Sequence, residues 1–157
     1  MVASGSMSSP RILTLCFVAF LVAGCSYVET TPPPPTPADF GDTVTRFVTR
    51  GIQIDHVVAG DAGCADNALK PTAIAFNASG LDQATPVKIY FYVFADRATF
   101  ERLRATVDAC AQTYVTDPNT YQSIEQSPYV LSGQGPWGQA FEAALRAGLL
   151  EAAGTGG

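Results

Sequence analysis

An α/β fold, with a small three-stranded sheet packed by about four helices, is what this sequence predicts, and three observations carry the expectation. Val87 to Phe94 is apolar on both alternating faces, the pattern of a strand that needs cover on each side. Asp96 to Tyr114 repeats Phe100, Leu103, Val107, Cys110 and Tyr114 at steps of three and four, the stripe of a helix on a core. Strand-like and helix-like segments also alternate along the chain, as they do when helices layer on a sheet. Residues 39–153 are enough for one core and too few for two, so a single domain is expected.

The elements follow in order. Thr36 offers a capping hydroxyl, Pro37 suits a first helical position and Asp39 an acidic first turn. Phe40, Val44, Phe47 and Val48 then recur at helical spacing until Gly51. Ile52, Ile54, His56 and Val58 alternate with Gln53, Asp55 and Val57 as a strand with one apolar face, stopping at the Gly60 to Gly63 turn. From Asp66 to Ser79 the pattern fits either element. Leu69, Ala73 and Phe76 on one helical face, Pro71 in a first turn and Gly80 as a C-cap favour helix over strand. Val87 to Phe94 is the central strand, and Asp96 caps the next helix. Tyr121 to Leu131 reads as an edge strand, because Pro128 removes a ladder donor. Ser132 to Gly135 reads as a turn, and Pro136 opens a last helix along Trp137, Phe141, Ala144, Leu145 and Gly148. Residues 154–157 are expected to be a flexible tail.

Ahead of the domain, Arg11 precedes the apolar run Ile12 to Ala23, which narrows to small side chains before Cys25. That is the order of a secretory signal. The run is about a dozen residues, whereas a helix crossing a core of roughly 30 Å needs about twenty. Val22-Ala23-Gly24-Cys25 resembles the lipobox of bacterial lipoproteins, with valine where leucine is commoner. The resemblance covers residues 1–25 only. It implies a leader at 1–24, an acylated Cys25, and a protein held on the extracytoplasmic face of a cell membrane, or of an outer membrane where there are two. Residues 25–38 hold Pro32, Pro33, Pro34, Pro35 and Pro37 and read as a semi-rigid tether reaching up to about 40 Å.

Of the four cysteines, Cys16 would leave with the leader and Cys25 would carry lipid, so only Cys64 and Cys110 remain in the mature domain. In an oxidising compartment one disulfide between them is the default. Two distant thiols and one histidine make a poor metal site, and no cofactor is expected. The net charge of −5, with scattered lysines and arginines, argues against nucleic acid. An acidic domain is not drawn to anionic lipid either, so the membrane contact would rest on the N-terminal lipid.

Motifs for catalysis are missing. There is no G-x-S-x-G elbow, Walker loop or H-E-x-x-H. His56 and Asp55 are strand neighbours and are expected to point apart. Asp61, Asp66 and Asp82 sit in turns, where capping accounts for each. The segment Ser132, Gly133, Gln134, Gly135, Pro136 and Trp137 is the one candidate ligand loop, since glycines before a helix expose amides and Trp137 offers a stacking wall. Its plainer reading is a tight turn with Trp137 anchoring the helix. Tyr90, Tyr92, Tyr114, Tyr121 and Tyr129 could line a groove or fill a core. The expectation is a non-enzymatic binding or accessory module whose partner is an unknown protein or small ligand. The alternative is a cell-envelope hydrolase using carboxylates or the loop before Trp137.

Overall fold

The structure is a computed structural model, and it describes residues 39–154. The leader, Cys25, the proline-rich tether and residues 155–157 lie outside the described residues. Among those described, α1 spans Asp39–Thr49, β1 Gln53–Ala59, β2 Ala73–Gly80, β3 Gln83–Val93, α2 Arg97–Ala111, β4 Tyr121–Gln126, β5 Tyr129–Gln134 and α3 Gln139–Ala152. The five strands form one antiparallel sheet in the order β1-β2-β3-β5-β4. The chain leaves β3 through α2, lays β4 on the outer edge, and turns back to insert β5 between them.

The α/β class and the central place of β3 agree with the sequence; the element count does not. Three strands become five and four helices become three. The segment 66–79 is not a helix. Asp66 caps the amides of Ala68 and Leu69, Pro71 sits in a single 3-10 turn, and the chain then extends as β2. Its small and branched residues are buried on both faces: Ala73 and Ala75 on one, Phe76 and Ala78 on the other. That two-sided burial between β1 and β3 overrides the chance helical spacing of Leu69, Ala73 and Phe76.

The expected single strand 121–131 is a hairpin. Pro128 lies in its turn, after a cis Ser127–Pro128 bond, and protects no edge. The expected turn 132–135 is mostly the end of β5, and α3 starts at Gln139, three residues after Pro136. Asp96 does cap α2, accepting from Thr99 N at 2.7 Å.

Strand alternation sends Ile89, Phe91, Val93, Tyr129 and Leu131 to one face, where Phe47 of α1 and Phe141, Leu145 and Leu149 of α3 cover them. Burying each such side chain contributes roughly 1.5–3 kcal/mol. Gly148 lets the two helices close, since a Cβ there would lie 2.6 Å from the Phe47 ring. Arg46 of α1 and Arg50 in the turn just after it both pair with Glu151 at the end of α3.

On the opposite face α2 lays Leu103, Val107 and Cys110 over Tyr90, Tyr92, Phe94 and Val130. Cys110 is bonded to Cys64, with Cα atoms 5.5 Å apart and 46 residues of separation. A loop of that length corresponds to about 4 kcal/mol of stabilisation in the chain-entropy model. The buried Tyr92 hydroxyl donates to Ala62 O at 2.9 Å and pins the same loop beside the bridge.

Candidate functional site

Two clefts open on the α2 side of the sheet, one on each side of the segment Tyr114 to Thr116. The smaller, about 370 Å³, is lined by Val87, Lys88, Tyr90, Tyr114, Gln134 and Gly135. The larger, about 700 Å³, is lined by Arg104, Asp108, Ala111, Gln112, Val115, Thr116, Pro118 and Tyr121. Gln134 ties the dividing segment down: its Oε1 accepts from Thr116 N at 3.1 Å and its Nε2 donates to Thr116 Oγ1 at 3.0 Å.

In the smaller cleft, β3 places Lys88 two residues before Tyr90, so both project from the same face. Lys88 Nζ is 2.9 Å from Asp61 Oδ2 and 5.1 Å from the centre of the Tyr90 ring. Tyr90 and Tyr114 pack with ring centres 4.2 Å apart, and the Tyr114 hydroxyl shares a 2.8 Å hydrogen bond with Ser132 Oγ. Gly63 makes this approach possible: it has φ +74, and a Cβ there would sit 2.5 Å from Tyr114 and 2.8 Å from Tyr90.

The electrostatics follow from these contacts. The hydrogen bond to Asp61 holds the Lys88 pKa above its usual value. Burial acts to raise the Asp61 carboxyl, but bonds from Lys88 and Gly63 N outweigh it and leave the pKa lowered. Burial pushes the Tyr114 phenol up, so it stays a neutral donor or acceptor at neutral pH.

The sequence-predicted loop is divided by the fold. Ser132 and Gly133 are buried in β5; Gln134 and Gly135 line the smaller cleft; Trp137 is buried in the opposite core, edge-on to Phe141. The loop amides already have acceptors. Gly135 N donates to Thr120 O, Trp137 N to Gln122 Oε1, Gly138 N to Gln83 Oε1, and Ala140 N and Phe141 N to Asp82. Asp82, on the β2–β3 turn, therefore supplies the N-terminal cap that Gly138 lacks for α3.

Of the tyrosines, Tyr90 and Tyr114 line the smaller cleft and Tyr121 the larger, while Tyr92 and Tyr129 are buried. Asp61, Asp66 and Asp82 each accept from backbone amides. Asp55 and His56 do meet, against expectation, with Oδ1 and Nδ1 2.6 Å apart. The ladder is bulged between Asp55 and Val58, and His56 takes φ +51, which removes the alternation that would have separated them. Both are exposed on the sheet edge. Among the described residues no group of three or more His, Cys, Asp or Glu could hold a metal ion.

The larger cleft was not legible from periodicity. Arg104 and Asp108 fall on the outward face of α2, but β4 rises beside that face. Arg104 Nη2 reaches Ser123 Oγ at 3.2 Å and also bonds Glu125, while Nη1 lies 2.7 Å from Asp108 Oδ1. Burial works against the guanidinium charge, and the two carboxylates overcome it and raise its pKa. Tyr121 donates to the same Asp108 oxygen at 2.7 Å, and burial followed by that bond raises the phenol pKa. The chain matches no family model, no curated protein and no solved structure.

Proposed function

We propose that this chain is a lipid-anchored, extracytoplasmic binding module without catalytic activity, fastened through Cys25 and displaying its domain on a proline-rich arm. The observation that carries the address is Val22-Ala23-Gly24-Cys25 at the end of a short apolar run. The bridge between Cys64 and Cys110 supports it, because such bonds persist in oxidising compartments. No helix among the described residues is long and apolar enough to cross a membrane, so nothing in the domain competes with the lipid as the anchor by that route.

The smaller cleft supports binding. A cation, two tyrosine rings and an amide converge there, the mix of apolar wall and few oriented polar groups that small-ligand sites use. Its ligand is a small polar molecule with an unsaturated or sugar-like face for the rings and an acceptor for Lys88. The hydrolase alternative is weakened by the turn carboxylates, each of which already serves a backbone amide.

Two measurements test the reading. Metabolic labelling with an alkyne fatty acid should mark the chain and the Cys25→Ser variant should lose both label and membrane partition; an unmodified Cys25 on the purified native protein overturns the address. Titration of the full chain with small saccharides and carboxylated sugars, followed by tyrosine fluorescence, should give a response that Lys88→Ala removes. A panel that leaves the Lys88 and Tyr114 environment unchanged overturns the binding assignment.

A further inference from the structure

We propose that the larger groove and the free edge of β4 together dock an extended, basic segment of another protein, which adds to the sheet as a sixth strand. This site is separate from the smaller cleft and does not depend on it.

The two sheet edges differ in a way that bears on strand addition. At β1 the ladder is bulged between Asp55 and Val58, and His56 sits in the left-handed region, so the edge is bent out of register for a newcomer. At β4 the pairing with β5 runs unbroken from Tyr121 to Gln126, with no proline, lysine or bulge in the strand. Among the described residues β4 pairs only with β5, so its other row of amides and carbonyls faces away from the sheet. Such an edge is a template for an added strand, in which the main chain supplies affinity and pockets select side chains.

The groove supplies the pocket. Ala111, Val115 and Pro118 give it apolar walls, and its volume of about 700 Å³ has room for one or two side chains. Charge names the occupant. Asp108 and Glu125 are each about half exposed and together outnumber the one guanidinium, Arg104, that they share. Asp117, in the turn leading to β4, adds a third exposed carboxylate. A segment carrying an apolar side chain and a Lys or Arg two residues apart would present both on the α2 face, the first against the groove walls and the second against Asp108 and Glu125. A second copy of this chain, itself at −5, would bring its own Asp108 and Glu125 to the edge and is disfavoured.

The test uses the full chain, immobilised and panned against a phage library of random eight-residue peptides. Enriched peptides should carry an apolar residue and a Lys or Arg two positions apart. As synthetic fluorescent peptides they should bind at least about tenfold more weakly to Glu125→Lys, a loss of about 1.4 kcal/mol, and equally well to Lys88→Ala. Methylating the backbone nitrogens of one alternate set should abolish binding, while methylating the other set should spare it, a readout that needs no protein variant. Acidic or patternless enrichment, indifference to methylation in both sets, or no enrichment each overturns the proposal. So does sedimentation showing a concentration-dependent dimer that competes with the peptide, which would assign the edge to self-pairing instead.

Discussion

On one face of the sheet, α1 and α3 lie together over Phe76, Ile89, Phe91, Tyr129 and Leu131 and seal them; on the other, α2 lies alone over Tyr90, Tyr92 and Val130. A helix is about 10 Å wide, and five strands spaced about 4.8 Å apart span roughly twice that. Two helices can cover such a sheet and one cannot. The missing cover on the α2 face comes from the loop between β1 and β2, whose Ala62 and Leu69 are buried there and which the Cys64–Cys110 bond fastens to α2. Both clefts lie at the margins that α2 leaves open. The α1–α3 face is thus built mainly of aliphatic and phenyl packing, and the α2 face carries the Tyr90, Tyr92 and Tyr114 rings and the two clefts described above.

Two substitutions break this comparison from opposite sides. Phe91→Ala empties a fully buried site beneath α1, beside Phe40 and Tyr129, and should cost about 3–5 kcal/mol in urea denaturation, with the same loss whether or not reductant is present. Cys64→Ser with Cys110→Ser should cost about 4 kcal/mol. That variant should lose its sensitivity to reductant altogether, and hydrogen exchange should rise first in the loop 60–72 rather than under α1 and α3. Equal loosening of both faces would show that the bridge holds the whole domain and not the uncovered side.

Much of this division could be read in the residues, and the failures have a common cause. The two-faced pattern of β3 and the stripe of α2 were legible because each is long and periodic. Cys110 at a core position of that stripe, with Cys64 as its remaining partner, fixed where the second face is fastened. What escaped was decided by neighbours far along the chain. Ala73 to Gly80 became β2 because β1 and β3 flank it, and small residues such as Ala75 and Ala78 fit a strand buried on both sides as readily as a helix. Pro128 was visible as a ladder breaker, but whether it breaks an edge or makes a hairpin depends on β5 pairing with β3. At the candidate site, Gln134 and Gly135 were found from the glycine-rich loop. Lys88 is masked inside an apolar strand, and Arg104 reads as solvated by periodicity because the pattern of α2 does not show β4 beside it.

A milder change sharpens the comparison within the α2 face. Tyr92→Phe keeps the ring and removes only the hydroxyl that donates to Ala62 O. It should cost about 1 kcal/mol, since a buried carbonyl loses its donor. If the loop fastening is shared between this bond and the disulfide, the same substitution in the Cys64→Ser, Cys110→Ser background should cost measurably more or less than it does alone. Additive losses would mean that the two act independently.

The smallest expected effect lies on the other face, at the start of α3. Asp82 is exposed, and bonds from Ala140 N and Phe141 N hold its carboxyl below the usual carboxylate range. A lowered folded-state pKa stabilises the protein above the unfolded value, about 3.9, and that contribution fades as pH falls through the folded value. Asp82→Ala should therefore lower the unfolding midpoint at pH 7, and the gap from the parent should close progressively below about pH 4. Asp82→Asn, which can still accept from one amide, should keep part of the midpoint and lose the acid dependence. A gap that persists unchanged into acid would mean that the carboxylate stabilises the turn between β2 and β3 through its packing rather than α3 through its charge.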